Sequence, residues 1–155
     1  MKIVLAYDSL EDIRKLFREY ADSLGIDLCF QSFDDELNTL PGRYALPEGR
    51  LYIAYDGETA AGCIALRPLD GGLGEMKRLY VRPAYRKTGL GETLARQIVS
   101  DAASVGYGHI VLDTLETMKP AVALYRKLGF EVVEPYYDNP VPGAVYMSME
   151  LKKHR

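Results

Sequence analysis

Apolar and polar positions follow two periods along this chain, and the places where they change predict its elements. Lys2 to Tyr7 reads as a short strand. Leu10, Ile13, Leu16, Phe17, Tyr20 and Leu24 then recur at helical spacing until Gly25 ends the run. Ser9-x-x-Asp12 in front of them reads as a capping box with Asp in place of Glu. Residues 26–50 are irregular, with room for a short helix within Phe30–Leu37 capped by Ser32 or Asp34, and with turn-forming Leu40-Pro41-Gly42-Arg43-Tyr44 and Leu46-Pro47-Glu48-Gly49. A stretch this long with several aromatics is an excursion that covers something, or an ordinary packed surface loop.

Leu51–Tyr55 and Ala60–Leu66, joined by Asp56-Gly57-Glu58-Thr59, predict a hairpin, and Pro68 to Gly72 turns the chain into a strand that starts at Glu75. That strand runs through Leu79-Tyr80-Val81 and stops at Pro83, which has no backbone donor for a ladder. Leu90, Leu94, Ile98, Val99 and Ala102 predict a helix stopped by Gly106. A buried-type strand at His109–Thr114, a helix from Met118 to Leu128 closed by Gly129, a strand at Phe130–Val133, a loop with three prolines and a last strand at Ala144–Leu151 complete the chain. The order implies one α/β domain over residues 1–155, antiparallel at first and locally parallel around residues 76–114.

Composition changes this picture little. The 155 residues are 48% hydrophobic and 26% charged, as in an ordinary water-soluble domain. No apolar run is long enough to span a bilayer, and the N-terminus turns polar too soon for a signal peptide. With two cysteines, Cys29 and Cys63, nothing calls for an oxidising compartment, so the expected location is cytoplasmic. His109 and His154 lie far apart in sequence, so no histidine-based triad or metal cluster is visible. Cys63, inside an apolar strand, reads as packing.

Charge does change the picture at one place. Residues 75–91 carry five basic side chains (Lys77, Arg78, Arg82, Arg86, Lys87) against the single acid Glu75, in a protein of net charge −3. The loop Arg86-Lys87-Thr88-Gly89-Leu90-Gly91 then runs into a helix start. Glycines that allow a tight turn, bare amides and a helix N-terminus make an anion cradle, and a local positive field in an acidic protein suits a small polyanion better than nucleic acid. A strand-to-helix turn with a solvated basic rim would show the same residues. The order of Lys87-Thr88 and the glycines is wrong for a P-loop. A Rossmann fingerprint is a weaker fit, because Leu94 stands where its third glycine belongs, although Asp113 lies where a ribose acceptor would.

Arg86-x-x-Gly89-x-Gly91 after a Leu-Tyr-Val-x-Pro strand resembles the acyl-CoA pyrophosphate motif of the GNAT superfamily of N-acetyltransferases. Ala121-x-x-Leu124-Tyr125-x-x-Leu128-Gly129-Phe130 resembles that family's late helix and following strand. The resemblance implies a single-domain mixed sheet with antiparallel N-terminal strands, a splayed parallel pair and helices on both faces. It implies acetyl-CoA as acetyl donor, with Leu79, Tyr80 and Val81 along the pantetheine and Arg86, Lys87, Thr88, Gly89, Leu90, Gly91 and Glu92 around the pyrophosphate. It also implies an amine acceptor under the 26–50 region, so Gln31, Phe33 and Tyr137 are expected near it. Whether that amine belongs to a small molecule or a protein is open, and a homodimer is expected only by analogy with the family.

For the chemistry, the resemblance places Glu75 as the strand carboxylate that accepts the amine proton, which a dry pocket must first make basic enough. Strand alternation sets Glu75 and Lys77 on the face of Leu79 and Val81 unless a bulge intervenes; the family has one near Lys77-Arg78, exposing an N–H to the thioester oxygen. A plain strand-end charge paired with Lys77 is the other reading of Glu75. Tyr125 matches the tyrosine that protonates the leaving thiolate, though it also sits on an apolar helical stripe as core tyrosines do. The family's Asn near the start of this helix is Met118 here, and whether Lys119 substitutes for it is open. Tyr136-Tyr137-Asp138-Asn139 lines the acceptor site, forms an interface or simply turns the chain. A non-catalytic acyl-CoA sensor is the rival from another class.

Overall fold

A computed structural model describes residues 1–25 and 32–151. Seven strands form one mixed sheet: β1 Lys2–Leu5, β2 Arg50–Asp56, β3 Thr59–Leu69, β4 Leu73–Val81, β5 His109–Leu115, β6 Glu131–Val133 and β7 Ala144–Glu150. Their order across the sheet is β1-β2-β3-β4-β5-β7-β6, antiparallel throughout except for the β4–β5 pair. The α-helices among the described residues are α1 Leu10–Leu24, α2 Phe33–Asn38, α3 Leu90–Val105 and α4 Lys119–Leu128.

The sheet separates two apolar cores. On one face Ile13, Leu16 and Phe17 of α1 pack with Leu51, Ile53, Cys63 and Tyr80. On the other, Leu94, Ala95 and Ile98 of α3 and Tyr125 of α4 pack with Ile64, Leu66, Met76, Ile110, Leu112 and Met147. Both long-helix stripes repeat at 3–4 residues, so each helix buries one side. The expected layered fold is present. No helix among the described residues is long and apolar enough to cross a membrane.

Several boundaries move. β1 stops at Leu5, and β3 continues through Pro68 to Leu69, so the turn is Asp70–Gly72. Pro68 is tolerated because it lies near the end of the ladder, opposite Gly74. The capping box at α1 does not form: Ser9 makes no side-chain cap bond, and Asp12 accepts from the Tyr55 hydroxyl at 2.5 Å. Ser32 precedes α2 with φ 55° and no side-chain cap, and α4 starts at Lys119 with Met118 as its cap residue.

The bulge in β4 has the largest consequence. Cys63 faces Tyr80 and Ala65 faces Lys77, so the single residue Ile64 opposes both Arg78 and Leu79. Arg78 takes φ 61°, which re-aims every later side chain of the strand. Met76, Leu79 and Val81 therefore share the α3 face, while Tyr80 joins the α1 core. Simple alternation, which groups Glu75 and Lys77 with Leu79 and Val81, fails at this residue.

Candidate active site

β4 and β5 pair only over Leu73–Glu75 and His109–Val111, after which they part. β4 continues beside β3 to Val81, and β5 continues beside β7 to Leu115. The opening is a cleft of about 110 Å³. Lys77, Arg78 and Leu79 form one wall, Asp113, Thr114 and Leu115 the other, and Met118, Ala121 and Tyr125 the α4 side. From Met76 onward β4 has no ladder partner on this side among the described residues, and such an edge can pair with an extended ligand.

At the far end of β4 the chain makes a short 3-10 turn, Pro83–Tyr85, and reaches α3 through the exposed residues Arg86–Gly89. Arg86 Nε donates to the Val81 carbonyl at 3.1 Å, and the Thr88 hydroxyl to the Tyr85 carbonyl at 2.6 Å, so both side chains brace the turn. Gly89 has φ 86°, a conformation that any Cβ would strain. Thr93 N–H is the first to find a helical acceptor, Gly89 O at 3.0 Å. The N–H groups of residues 87–92 have no acceptor among the described residues. Open amides and a helix tip together suit a pyrophosphate. Glu92 faces away from this role, bonded to Arg96 and Lys127, and so ties α3 to α4.

On the α1 side of β4 charged groups bind one another. Arg78, 4% exposed, gives two bonds to Glu36 at 2.9 and 3.0 Å, and its guanidinium lies over the rings of Tyr20 and Phe33. Glu75, 1% exposed, accepts from Arg67 Nε and from the Tyr136 hydroxyl, each at 2.6 Å. Tyr137 donates to Asp113, which also accepts from Asn139 at 2.8 Å. Adjacent tyrosines thus fasten the loop at 134–143 to both of the parting strands. Burial would raise the Glu75 pKa, but the charges of Lys77 and Arg67 and the two hydrogen bonds outweigh it and hold the carboxyl below its usual range. Lys77 is pushed down to about 8, by burial first and the Arg78 charge next. Burial raises Tyr125 well above the ordinary phenol range.

Residues 10–130 match the model of the Acetyltransferase (GNAT) family. The chain belongs to that family. An uncharacterised N-acetyltransferase of Schizosaccharomyces pombe is 47% identical over 146 residues, covering 93% of this chain and 90% of that protein. A GNAT-family acetyltransferase structure from Staphylococcus aureus superposes with a TM-score of 0.79 at 20% identity, covering 97% of this chain and 99% of the other. A Salmonella typhimurium acetyltransferase, solved with its cofactor acetyl-CoA, has a TM-score of 0.73 at 19% identity and covers 99% and 95%. At these identities the two structures show a shared fold.

Set on this GNAT frame, the expected site residues fall into groups. Tyr125 and Leu79 line the cleft, and Val81 packs beside them in the α3 core. The loop from Arg86 to Gly91 forms the cradle, with Leu90 buried beneath it. Tyr80 turns its side chain to the α1 face, where its hydroxyl bonds Glu19 at 3.3 Å, so only its backbone remains near the cleft. Phe33 stacks on Arg78 and Tyr137 is bonded to Asp113; Gln31 lies outside the described residues.

Glu75 and Tyr125 do not share a cavity. Glu75 opens with Arg67, Tyr136 and Tyr137 into a recess of about 250 Å³. Lys77 and Asp113 line the Tyr125 cleft, and the sequence reading gave neither a role in catalysis. The five-residue basic cluster contained the Lys77 signal, but only the bulge and the splay show which cleft this side chain borders.

Proposed function

We propose that the chain transfers the acetyl group of acetyl-CoA directly to an amine, of a small molecule or a protein, in a ternary complex. The parting of β4 from β5 beside a run of open amides carries this reading. Acetyl-CoA supplies the acetyl group as an activated thioester. The amides of residues 87–92, the α3 tip and Arg86 hold its pyrophosphate, and the unpaired backbone of Leu79–Val81 binds its pantetheine. Met118, at the α4 cap, gives that arm an apolar contact in place of an amide.

In this reading the β4 bulge offers a backbone N–H to the thioester oxygen as negative charge develops there. The Tyr125 hydroxyl remains protonated at neutral pH and gives its proton to the departing thiolate. The burial that raises the phenol also raises a thiolate formed next to it, so the transfer is not strongly uphill. Lys77, pushed down to about 8, holds a neutral fraction near pH 7 and takes the proton the nitrogen sheds as the carbon–nitrogen bond forms. The amine loses one proton, the sulfur gains one, and solvent resets both side chains. Glu75 acts as a fixed anion that orients Arg67 and offsets the Lys77 charge; a carboxyl held below its usual range is a weak proton acceptor.

A thiol-release assay with acetyl-CoA and a broad amine panel tests the proposal. Amine-dependent release is expected, with an ionisation near pH 8 in kcat/KM that disappears in Lys77→Met. Thermal stabilisation by CoA with no release on any amine would make the protein a binding module instead. Survival of the pH 8 limb in Lys77→Met, together with its loss in Glu75→Gln, would return the base to Glu75.

A further inference from the structure

A third recess, about 210 Å³, lies between the α2 segment and β3, and its wall includes Glu36, Arg43, Tyr44 and Arg67. Two of these residues hold donors with no acceptor among the described residues. Tyr44 is 2% exposed and its hydroxyl is buried without a geometrically sound partner. The Glu36 carboxylate, which binds Arg78 with both oxygens, lies close enough to help raise the Tyr44 phenol but does not meet hydrogen-bond geometry with it. Arg67 gives Nε to Glu75, and neither Nη has an acceptor. A guanidinium pinned along one edge and open along the other matches the two oxygens of a carboxylate. Arg43, bonded to the Pro68 carbonyl, adds positive charge to the same wall, while Asp35 stands exposed at its rim.

We infer that the acceptor is an amine carrying a carboxylate, and that the Arg67 fork and the Tyr44 hydroxyl hold this carboxylate. The inference rests on the acetyl-transfer reading above. Arg67 lines this recess and also the one shared by Glu75 and Tyr136, so it stands where the two meet. Glu75, held by Tyr136, is then the positioning residue that aims the fork. Arg67 lies opposite Glu75 in the β3–β4 register, and the bulge at Arg78 comes three residues further along β4. At ~3.3 Å per residue this separates the carboxylate subsite from the thioester end by about 10 Å. A short chain with an amine at one end and a carboxylate at the other spans that distance.

The test uses the whole 155-residue chain with acetyl-CoA and pairs of amines that differ only in the carboxylate, free or converted to a carboxamide. One set of pairs is built on free amino-carboxylates and another on acidic peptides, to separate the two sources of carboxylate. The carboxylated member of a pair should have a kcat/KM at least about tenfold higher, as for loss of one hydrogen bond to a charged group. Arg67→Lys keeps a charge beside Glu75 but loses the fork; it should reduce that member about tenfold, mainly through KM, and leave the carboxamide within about twofold. Tyr44→Phe should cost the carboxylated member about threefold and, because it removes an unpaired hydroxyl, keep the fold. It carries the test alone if Arg67→Lys does not fold. Equal rates within wild-type pairs, or equal losses for both members in the variants, overturn the inference and leave acetyl transfer standing. Absence of thiol release with every amine overturns both.

Discussion

Between residues 87 and 92 the backbone N–H groups have no acceptor among the described residues, whereas on the α1 side of β4 most charged side chains already hold partners. The first region is a receptor made of main chain. It depends on positive φ at Lys87 and Gly89 and on a helix beginning where the loop ends. The second is made of side chains from distant parts of the chain, such as Arg78 with Glu36 and Tyr136 with Glu75, 42 and 61 residues apart. A backbone receptor should survive most side-chain substitutions. A buried ionic network should not, because each member removed leaves a charge behind.

The largest effect expected from that contrast is at Arg78. Arg78→Ala leaves the Glu36 carboxylate, 14% exposed, beside two aromatic rings and without the guanidinium that bonded both its oxygens. Breaking a buried pair in this way costs about 3 kcal/mol, the lower end of the usual range because Glu36 retains some water. Urea unfolding should show the midpoint fall accordingly, while Arg86→Ala at the exposed cradle should leave it unchanged within about 0.5 kcal/mol. Similar losses in both variants would erase the distinction between the two regions.

Next comes Tyr125→Phe, which changes one atom at the cleft that joins them. Its ring packs on Phe130 with centroids 5.8 Å apart, and the substitution keeps that contact. Turnover should drop about a hundredfold, as for loss of a general acid, with CoA affinity kept within about twofold. Stopped assays and calorimetry read the two quantities separately. Parallel loss of both would make Tyr125 a packing residue.

The contrast also explains what could be read from the sequence. Pro83, Gly89 and Gly91 announce a strand end, a turn and a helix start locally, so the cradle and its motif were visible before any tertiary contact was known. The period-3.6 stripes of α1 and α3 likewise gave both cores. Pairings such as Arg67 with Glu75 or Tyr137 with Asp113 leave no local mark, because any of several arginines or acids could have met there. The bulge at Arg78 was expected from resemblance, yet its effect on which side chains share a face needed the β3 register. Glu75 itself lies outside the Tyr125 cleft because β4 and β5 are still paired at that residue.

Within the cradle two glycines should behave differently. Gly89→Ala forces a Cβ into a left-handed conformation, so stability should fall by about 1–2 kcal/mol and CoA binding should weaken as the amides shift. At Gly91 a new methyl would meet Val81 and Leu124 at 3.8 and 3.9 Å, ordinary contact distances in a helix first turn. Gly91→Ala should therefore leave stability equal or raise it by up to ~1 kcal/mol. Urea midpoints of the pair decide whether backbone conformation or lack of space maintains this loop.

The smallest effect is in the pH dependence of stability, where each of the two titrating groups of the network makes stability rise with pH, in separate windows. Glu75 has a depressed pKa in the fold, so its contribution is present above the unfolded carboxylate pKa of ~4.3 and is lost as pH falls through the lower folded value. Glu75→Gln should flatten the acid limb of a Tm–pH curve. Lys77, at about 8, lies below its unfolded value of ~10.4, so the unfolded chain binds more protons between those pH values and stability should rise with pH across that window. Lys77→Met should abolish this rise and, because the Lys77 charge does most to lower the Glu75 carboxyl, flatten part of the acid limb as well. An acid limb unchanged in Lys77→Met would show that Arg67 and the two hydrogen bonds hold the carboxyl down by themselves.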